Sequence, residues 1–127
     1  MSKARILVVD DNPTNLKLAC DVLEWEGHKV SQAVDAEQAI HLIAENPPEV
    51  ILMDLGLPGM DGLTLTRKLK ADAATRHIRI VAMTAFAMKG DEQKVLQSGC
   101  DGYISKPIDT RTMPGEVTRF LEGGNNP

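Results

Sequence analysis

The chain has 127 residues, room for one domain with one ordinary core that buries roughly two-thirds of the unfolded chain's surface. Hydrophobic residues make up 43% and charged residues 25%, the balance of a soluble globular protein, but aromatics are only 3%, so the core must be aliphatic. A net charge of −4 without any basic block argues against direct nucleic-acid contact; no apolar run reaches the roughly 18 residues of a membrane span, no signal-peptide core follows Met1, and a cytoplasmic protein is expected.

Short apolar runs alternate with amphipathic stretches. Ile6-Leu7-Val8-Val9 reads as a strand ended by Asp10-Asp11. Asn12 caps a helix that starts at Pro13, carries Leu16, Ala19, Cys20 and Leu23 at helical spacing, and stops at Gly27. Lys29 to Ala33 is a weaker strand. Asp35 and Gln38 resemble a capping box, with Ala36, Ala39, Ile40 and Ile43 as the apolar face of a helix that ends at Pro47-Pro48. Val50-Ile51-Leu52-Met53 is a buried strand terminated by Asp54, and a loop rich in Gly and Pro leads to a helix over about 63–70. Ile78 to Met83 predicts a strand ending at Thr84, and Asp91 to Ser98 a helix stopped by Gly99. Tyr103-Ile104-Ser105 predicts a short strand before Lys106-Pro107. A last helix ends near Leu121, so a domain over 1–122 and a flexible tail over 123–127 are expected. Cys20 and Cys100 lack metal-type spacing and are expected as reduced thiols.

Five strands alternating with five helices predict an α/β fold, a doubly wound parallel sheet covered on both faces. In such sheets ligands bind beyond the carboxyl ends of the strands. Those ends carry Asp10, Asp11, Asp54, Thr84 and Lys106. Three carboxylates held close together repel one another, and a divalent cation removes that cost. All-oxygen ligation without sulfur or imidazole suits Mg²⁺ or Mn²⁺ rather than zinc. A metal buffer needs no ammonium, whereas a phosphoryl group does; Lys106, the Thr84 hydroxyl and the cation together make a seat for one. Asp54, alone at the end of the central strand, is the natural nucleophile for an acyl phosphate, leaving Asp10 and Asp11 to hold the metal.

At these residues the chain resembles the receiver domain of two-component response regulators. The matching segments run from Ile6 to Asn12, Ile51 to Gly62, Val81 to Ala85 and Tyr103 to Ile108, in the family's order. The resemblance implies the flavodoxin-like receiver fold with strand order 2-1-3-4-5. It implies Asp54 as the phosphoacceptor, charged by a histidine kinase or histidine phosphotransfer protein. Asp11 and Asp54 match side-chain Mg²⁺ ligands, with Asp10 close behind, and the Gly56 carbonyl matches a backbone ligand. Thr84 matches the switch hydroxyl, Lys106 the ammonium that pairs with the phosphoryl group, and Tyr103 the aromatic that turns inward. Lys106-Pro107 matches a peptide often cis in the family, and Ala85 a position kept small for the approaching donor. The stretch Thr84 to Glu92, with Tyr103 to Ile108, resembles single-domain regulators of the DivK type, which act by binding a downstream signalling protein rather than as enzymes. Two departures stand out. Gly56 offers no side chain where relatives often have one, and Pro114-Gly115 requires the last helix to start late, near 110–113. The family's usual partner face is formed by the fourth helix, fifth strand and fifth helix.

Other readings make different demands. A receiver domain of a hybrid histidine kinase would share the chemistry but have its partner in cis; Met1 and the short tail favour the free-standing form. An aspartyl-phosphate phosphatase of the haloacid-dehalogenase kind needs an Asp-x-Asp nucleophile on the first strand, whereas the lone carboxylate here is on the third. A flavodoxin-like flavin binder needs a Ser/Thr-rich phosphate loop where Asp10-Asp11 stands.

Overall fold

A computed structural model describes residues 4–55, 57, 59–60, 62–84, 97, 99–105 and 109–121, with the backbone alone at 84, 105, 120 and 121. Five strands, β1 (Arg5–Val9), β2 (Lys29–Ala33), β3 (Val50–Asp54), β4 (Arg79–Thr84) and β5 (Gly102–Ser105), form one sheet in the order β2-β1-β3-β4-β5, parallel throughout. This is the predicted topology. The described helices are α1 (Pro13–Trp25), α2 (Ala36–Glu45), α3 (Gly62–Ala71) and α4 (Met113–Leu121). Of the helix predicted over 91–98 only Gln97 is described, and it is helical; the expected tail over 123–127 lies outside the described residues.

Alternation along each strand sends side chains to two cores, one on each face of the sheet. Ile6, Val8, Val50, Leu52, Val81, Met83 and Ile104 pack with Leu16, Ala19, Cys20 and Leu23 of α1 and Met113 and Val117 of α4. Leu7, Val9, Ile51, Met53, Ile80 and Ala82 pack with Ala36, Ala39 and Ile43 of α2 and Leu65 and Leu69 of α3. β3, flanked by β1 and β4, is buried at all five positions, the reason for its unbroken apolar sequence. Each such aliphatic side chain contributes roughly 1.5–3 kcal/mol on burial. Cys20 and Cys100 belong to opposite cores and cannot bridge, and burial pushes the Cys20 thiol up to about 11.

The ends of the helices follow local chemistry. The Asn12 side chain accepts from the N–H groups of Thr14 and Asn15 at 2.9 and 3.1 Å, with Pro13 in the first helical position. Gly27, at φ 95°, closes α1: its N–H bonds Glu24 O and the His28 N–H bonds Leu23 O, a Schellman pair. Asp35 accepts from Gln38 N–H at 2.8 Å, and Gln38 Oε1 accepts from Val34 N–H at 2.9 Å, one residue earlier than a strict capping box. α4 starts at Met113 with Pro114 in its first turn, as the proline requires. One side chain departs from expectation: Ile40, assigned to the apolar face of α2, is 43% exposed.

The α3–β4 connection is tied by Lys70. Its ammonium donates to the carbonyls of Arg76 and Ile78 and to Asp101 Oδ2 at 2.8–3.2 Å, and the same carboxylate oxygen accepts from Ile80 N–H at 2.8 Å. At the opposite end of the sheet from the aspartates, the buried His28 imidazole accepts the Ala4 N–H through Nδ1 at 3.1 Å.

Candidate phosphoacceptor site

Parallel strands end on one side of the sheet, so the residues that follow β1 and terminate β3 and β4 share a rim. Asp10 leaves β1 fully buried; its N–H donates to Ala33 O at 3.0 Å, and its Oδ1 accepts from Asn12 N–H at 2.9 Å. That two-residue aspartate turn holds the carboxylate while Asn12 caps the next helix. Asp11, beside it, is exposed, and Asp54 is 7% exposed. One carboxylate oxygen from each of Asp10, Asp11 and Asp54 lies within 4.8 Å of the others. The three predicted carboxylates therefore meet.

This donor set fits a hard divalent cation. It offers carboxylate oxygens from two buried residues and one exposed one, with neither sulfur nor imidazole in the group. The remaining predicted residues follow the register. Asp54 pairs with Met83 across β3–β4, and the Leu55 N–H bonds Met83 O at 3.3 Å, so the Thr84 backbone is the next step along the rim. Thr84 in turn pairs with Ser105 of β5. Tyr103, two residues earlier on β5, is partly buried and packs against the α2–α3 core. Gly56, Ala85, Lys106 and Pro107 lie outside the described residues.

Gly62 has a role that motif reading did not isolate. A Cβ built on it would lie 2.5 Å from the Asp54 carbonyl oxygen and 3.0 Å from both Leu55 Cα and Met53 Cγ. The first turn of α3 thus abuts the backbone of Asp54 directly. Its φ is not in the left-handed region, so the reason for glycine is space. The Thr66 hydroxyl donates to Gly62 O at 2.8 Å and accepts from the Cys100 thiol at 3.9 Å, anchoring that turn in the core.

Comparison with known proteins decides the family. A sequence model described as the response regulator receiver domain matches residues 6–118. The chain belongs to the response-regulator receiver family.

This receiver is 44% identical over 117 residues to the polar-differentiation response regulator DivK of Brucella ovis, covering 92% of this chain and 89% of that one. Among solved structures it is similar to a CheY-like receiver domain protein of Methanospirillum hungatei (TM-score 0.87, 28% identity, 97% of each chain). It is also similar to the receiver domain of a signal transduction histidine kinase of Syntrophus aciditrophicus (TM-score 0.86, 29% identity, 94% and 91% covered). Membership makes it a signalling protein of two-component systems, one that interacts with histidine kinases and with downstream partners. No helix among the described residues is long and apolar enough to cross a membrane.

Proposed function

We propose that Asp54 is the phosphoacceptor of a DivK-like response regulator. The observation that carries the reading is the meeting of three carboxylates at the end of the central strand, with Asp54 ending that strand and Asp10 and Asp11 directly following the neighbouring one. An Asp54 carboxylate oxygen attacks the phosphorus of a phosphohistidine on a kinase or phosphotransfer protein. The P–N bond breaks, its electron pair stays on the imidazole, and an aspartyl phosphate forms. Asp10, Asp11 and Asp54, with the Gly56 carbonyl, would hold Mg²⁺, or Mn²⁺ in its place. The bound cation supplies charge neutralisation between the attacking carboxylate and the incoming phosphoryl oxygens. The turn from Asp10 to Asn12 keeps the buried carboxylate aimed at that rim.

Phosphorylation adds about two negative charges and three acceptor oxygens. The Thr84 hydroxyl and the Lys106 ammonium gain charge-assisted bonds to them, and Tyr103 follows by turning further into the fold. The energy available to shift partner affinity is the difference in these interactions between the two states, about 1–3 kcal/mol. The regulator works in the cytoplasm as a phosphoacceptor rather than as an enzyme with a separate substrate. Its domain extends over 1–122, and it acts by exchanging partners. A second reading, a receiver from a hybrid histidine kinase, has in its favour the similarity to the Syntrophus kinase receiver; the chemistry at Asp54 is the same in both.

The test is labelling by acetyl phosphate or a phosphohistidine donor. Wild type should acquire hydroxylamine-sensitive label and Asp54→Asn none, with both folded by circular dichroism. Wild-type labelling of the variant would remove Asp54 from the role. Thr84→Ala should still label but lose the gain in partner affinity on beryllofluoride addition; an equal gain in both proteins would remove Thr84 from the switch.

A further inference from the structure

The exposed Ile40 marks a cleft. α2 buries Ala36, Ala39 and Ile43 on the sheet, and Ile40 instead lines a cavity of about 470 Å³ together with Asp35, Ala36, Glu37, Gly59 and Met60. Its apolar walls are Ile40, Ala36 and the partly buried Met60. Gly59, at φ +72° with nothing within 4 Å of a Cβ position, presents bare backbone. Among the described residues the charges on the cleft are Asp35 and Glu37, and none that lines it is basic. Val34, the residue before Asp35, is another large apolar side chain left 43% exposed. A second cleft, of about 530 Å³, shares Asp35 and Glu37 as its border, so the acidic ridge runs between two depressions along α2.

We propose that this cleft is a docking site for a segment of a partner protein that presents an aliphatic side chain beside a lysine or arginine. The aliphatic group buries against Ile40, Ala36 and Met60, the contact that isolated α2 leaves exposed to water. The cation meets Asp35 and Glu37, and a segment with an acidic residue there is repelled, so charge sets the choice of partner. None of Asp10, Asp11 or Asp54 lines the cleft. It also lies on the face of α2 and α3, on the β2 side of the sheet, away from β5.

Amide chemical shifts of the unphosphorylated full chain, titrated with acetyl-Leu-Lys-amide and acetyl-Leu-Glu-amide, test this without any reference to Asp54. The lysine peptide should shift amides of 36–40 and of 59–60 and bind about threefold tighter than the glutamate peptide, the scale of exposed ion pairs. High salt should erase that preference. Ile40→Ser should weaken both peptides, and Glu37→Lys should reverse the preference; both positions are exposed, and the fold of each variant is checked by its remaining amide spectrum. Equal binding of the two peptides, shifts confined to other surfaces, or binding unchanged in Ile40→Ser would overturn the proposal. So would shifts of the same amides with protein concentration alone, which would make a second copy the occupant.

Discussion

Substituting Gly62 by alanine perturbs the phosphoacceptor strand without touching a reacting atom. Helix propensity alone favours the change by up to about 1 kcal/mol. Sterics oppose it. The new Cβ falls 2.5 Å from Asp54 O, about 0.7 Å or more inside ordinary contact, and 3.0 Å from Leu55 Cα and Met53 Cγ. Two of those three atoms are backbone, with no rotamer to yield, so the first turn of α3 or the end of β3 has to move. Overpacking of this kind costs about 1–3 kcal/mol, which outweighs the propensity gain. The expected net loss of about 1–2 kcal/mol lowers Tm by roughly 3–8 °C for a domain of this size. Gly115 in the first turns of α4 is the control: nothing lies within 4 Å of its Cβ position, so Gly115→Ala should stabilise slightly. Urea unfolding gives both signs, and acetyl phosphate labelling of Gly62→Ala should slow because the displaced backbone is that of Asp54 itself. Unchanged or raised stability together with wild-type labelling would refute the steric argument.

Other consequences follow from single contacts. Asp11→Asn should weaken Mg²⁺ binding by about tenfold in calorimetry while sparing stability, because Asp11 is exposed, whereas Asp10→Asn should reduce affinity without lowering the stability of the metal-free protein, because it removes one of three mutually repelling carboxylates and keeps an acceptor for the Asn12 N–H. Trp25 cannot report that binding: it ends α1, about 20 Å of helix from the Asn12 cap. Burial lowers the pKa of the His28 imidazole from its ordinary 6.5, so the unfolded chain takes up a proton first as pH falls; stability should be flat above about 6.5 and decline below it until the folded state also protonates, with His28→Gln flattening the decline in urea titrations against pH. Lys70→Met removes the donor that Ile78 O, Arg76 O and Asp101 share, and should cost about 1–3 kcal/mol in the same assay; a loss below about 0.5 kcal/mol would show that water replaces the ammonium.

Much of this was legible because periodicity and chemistry agreed. Continuous apolar runs marked strands buried on both faces, and β3 at the centre of the sheet is the clearest of them. β2 read weakly for a physical reason: at the sheet edge it is mostly exposed, so its sequence Lys29 to Ala33 carries no apolar run. The aspartates were visible as abrupt ends to apolar runs, and topology then dictates that strand ends in a parallel sheet share one rim. What sequence pattern could not carry were long-range backbone approaches. The spacing around Gly62 fits an ordinary helix start, and only the three-dimensional path shows α3 resting on the Asp54 carbonyl. The Lys70–Asp101 pair spans 31 residues, and the His28 acceptor for Ala4 N–H spans 24.

Ile40 shows how a correct pattern can still assign a side chain to the wrong surface. Its spacing from Ala36 and Ile43 places it within the apolar arc of a 3.6-residue period, yet helical positions 36, 39 and 43 already complete the seam on the sheet. A fourth apolar residue on that arc falls at its margin, where burial depends on whether a neighbouring element arrives to cover it. Here the neighbour is the β3–α3 loop, whose Gly59 and Met60 line the cleft with Ile40 and leave it 43% exposed. Glycine at 59 lets the loop turn at φ +72°. Filling the gap from within is therefore strained, since any residue other than glycine at 59 has to adopt a left-handed backbone. The cover proposed for Ile40 is a partner segment, and the acids at 35 and 37 set the charge that segment must carry.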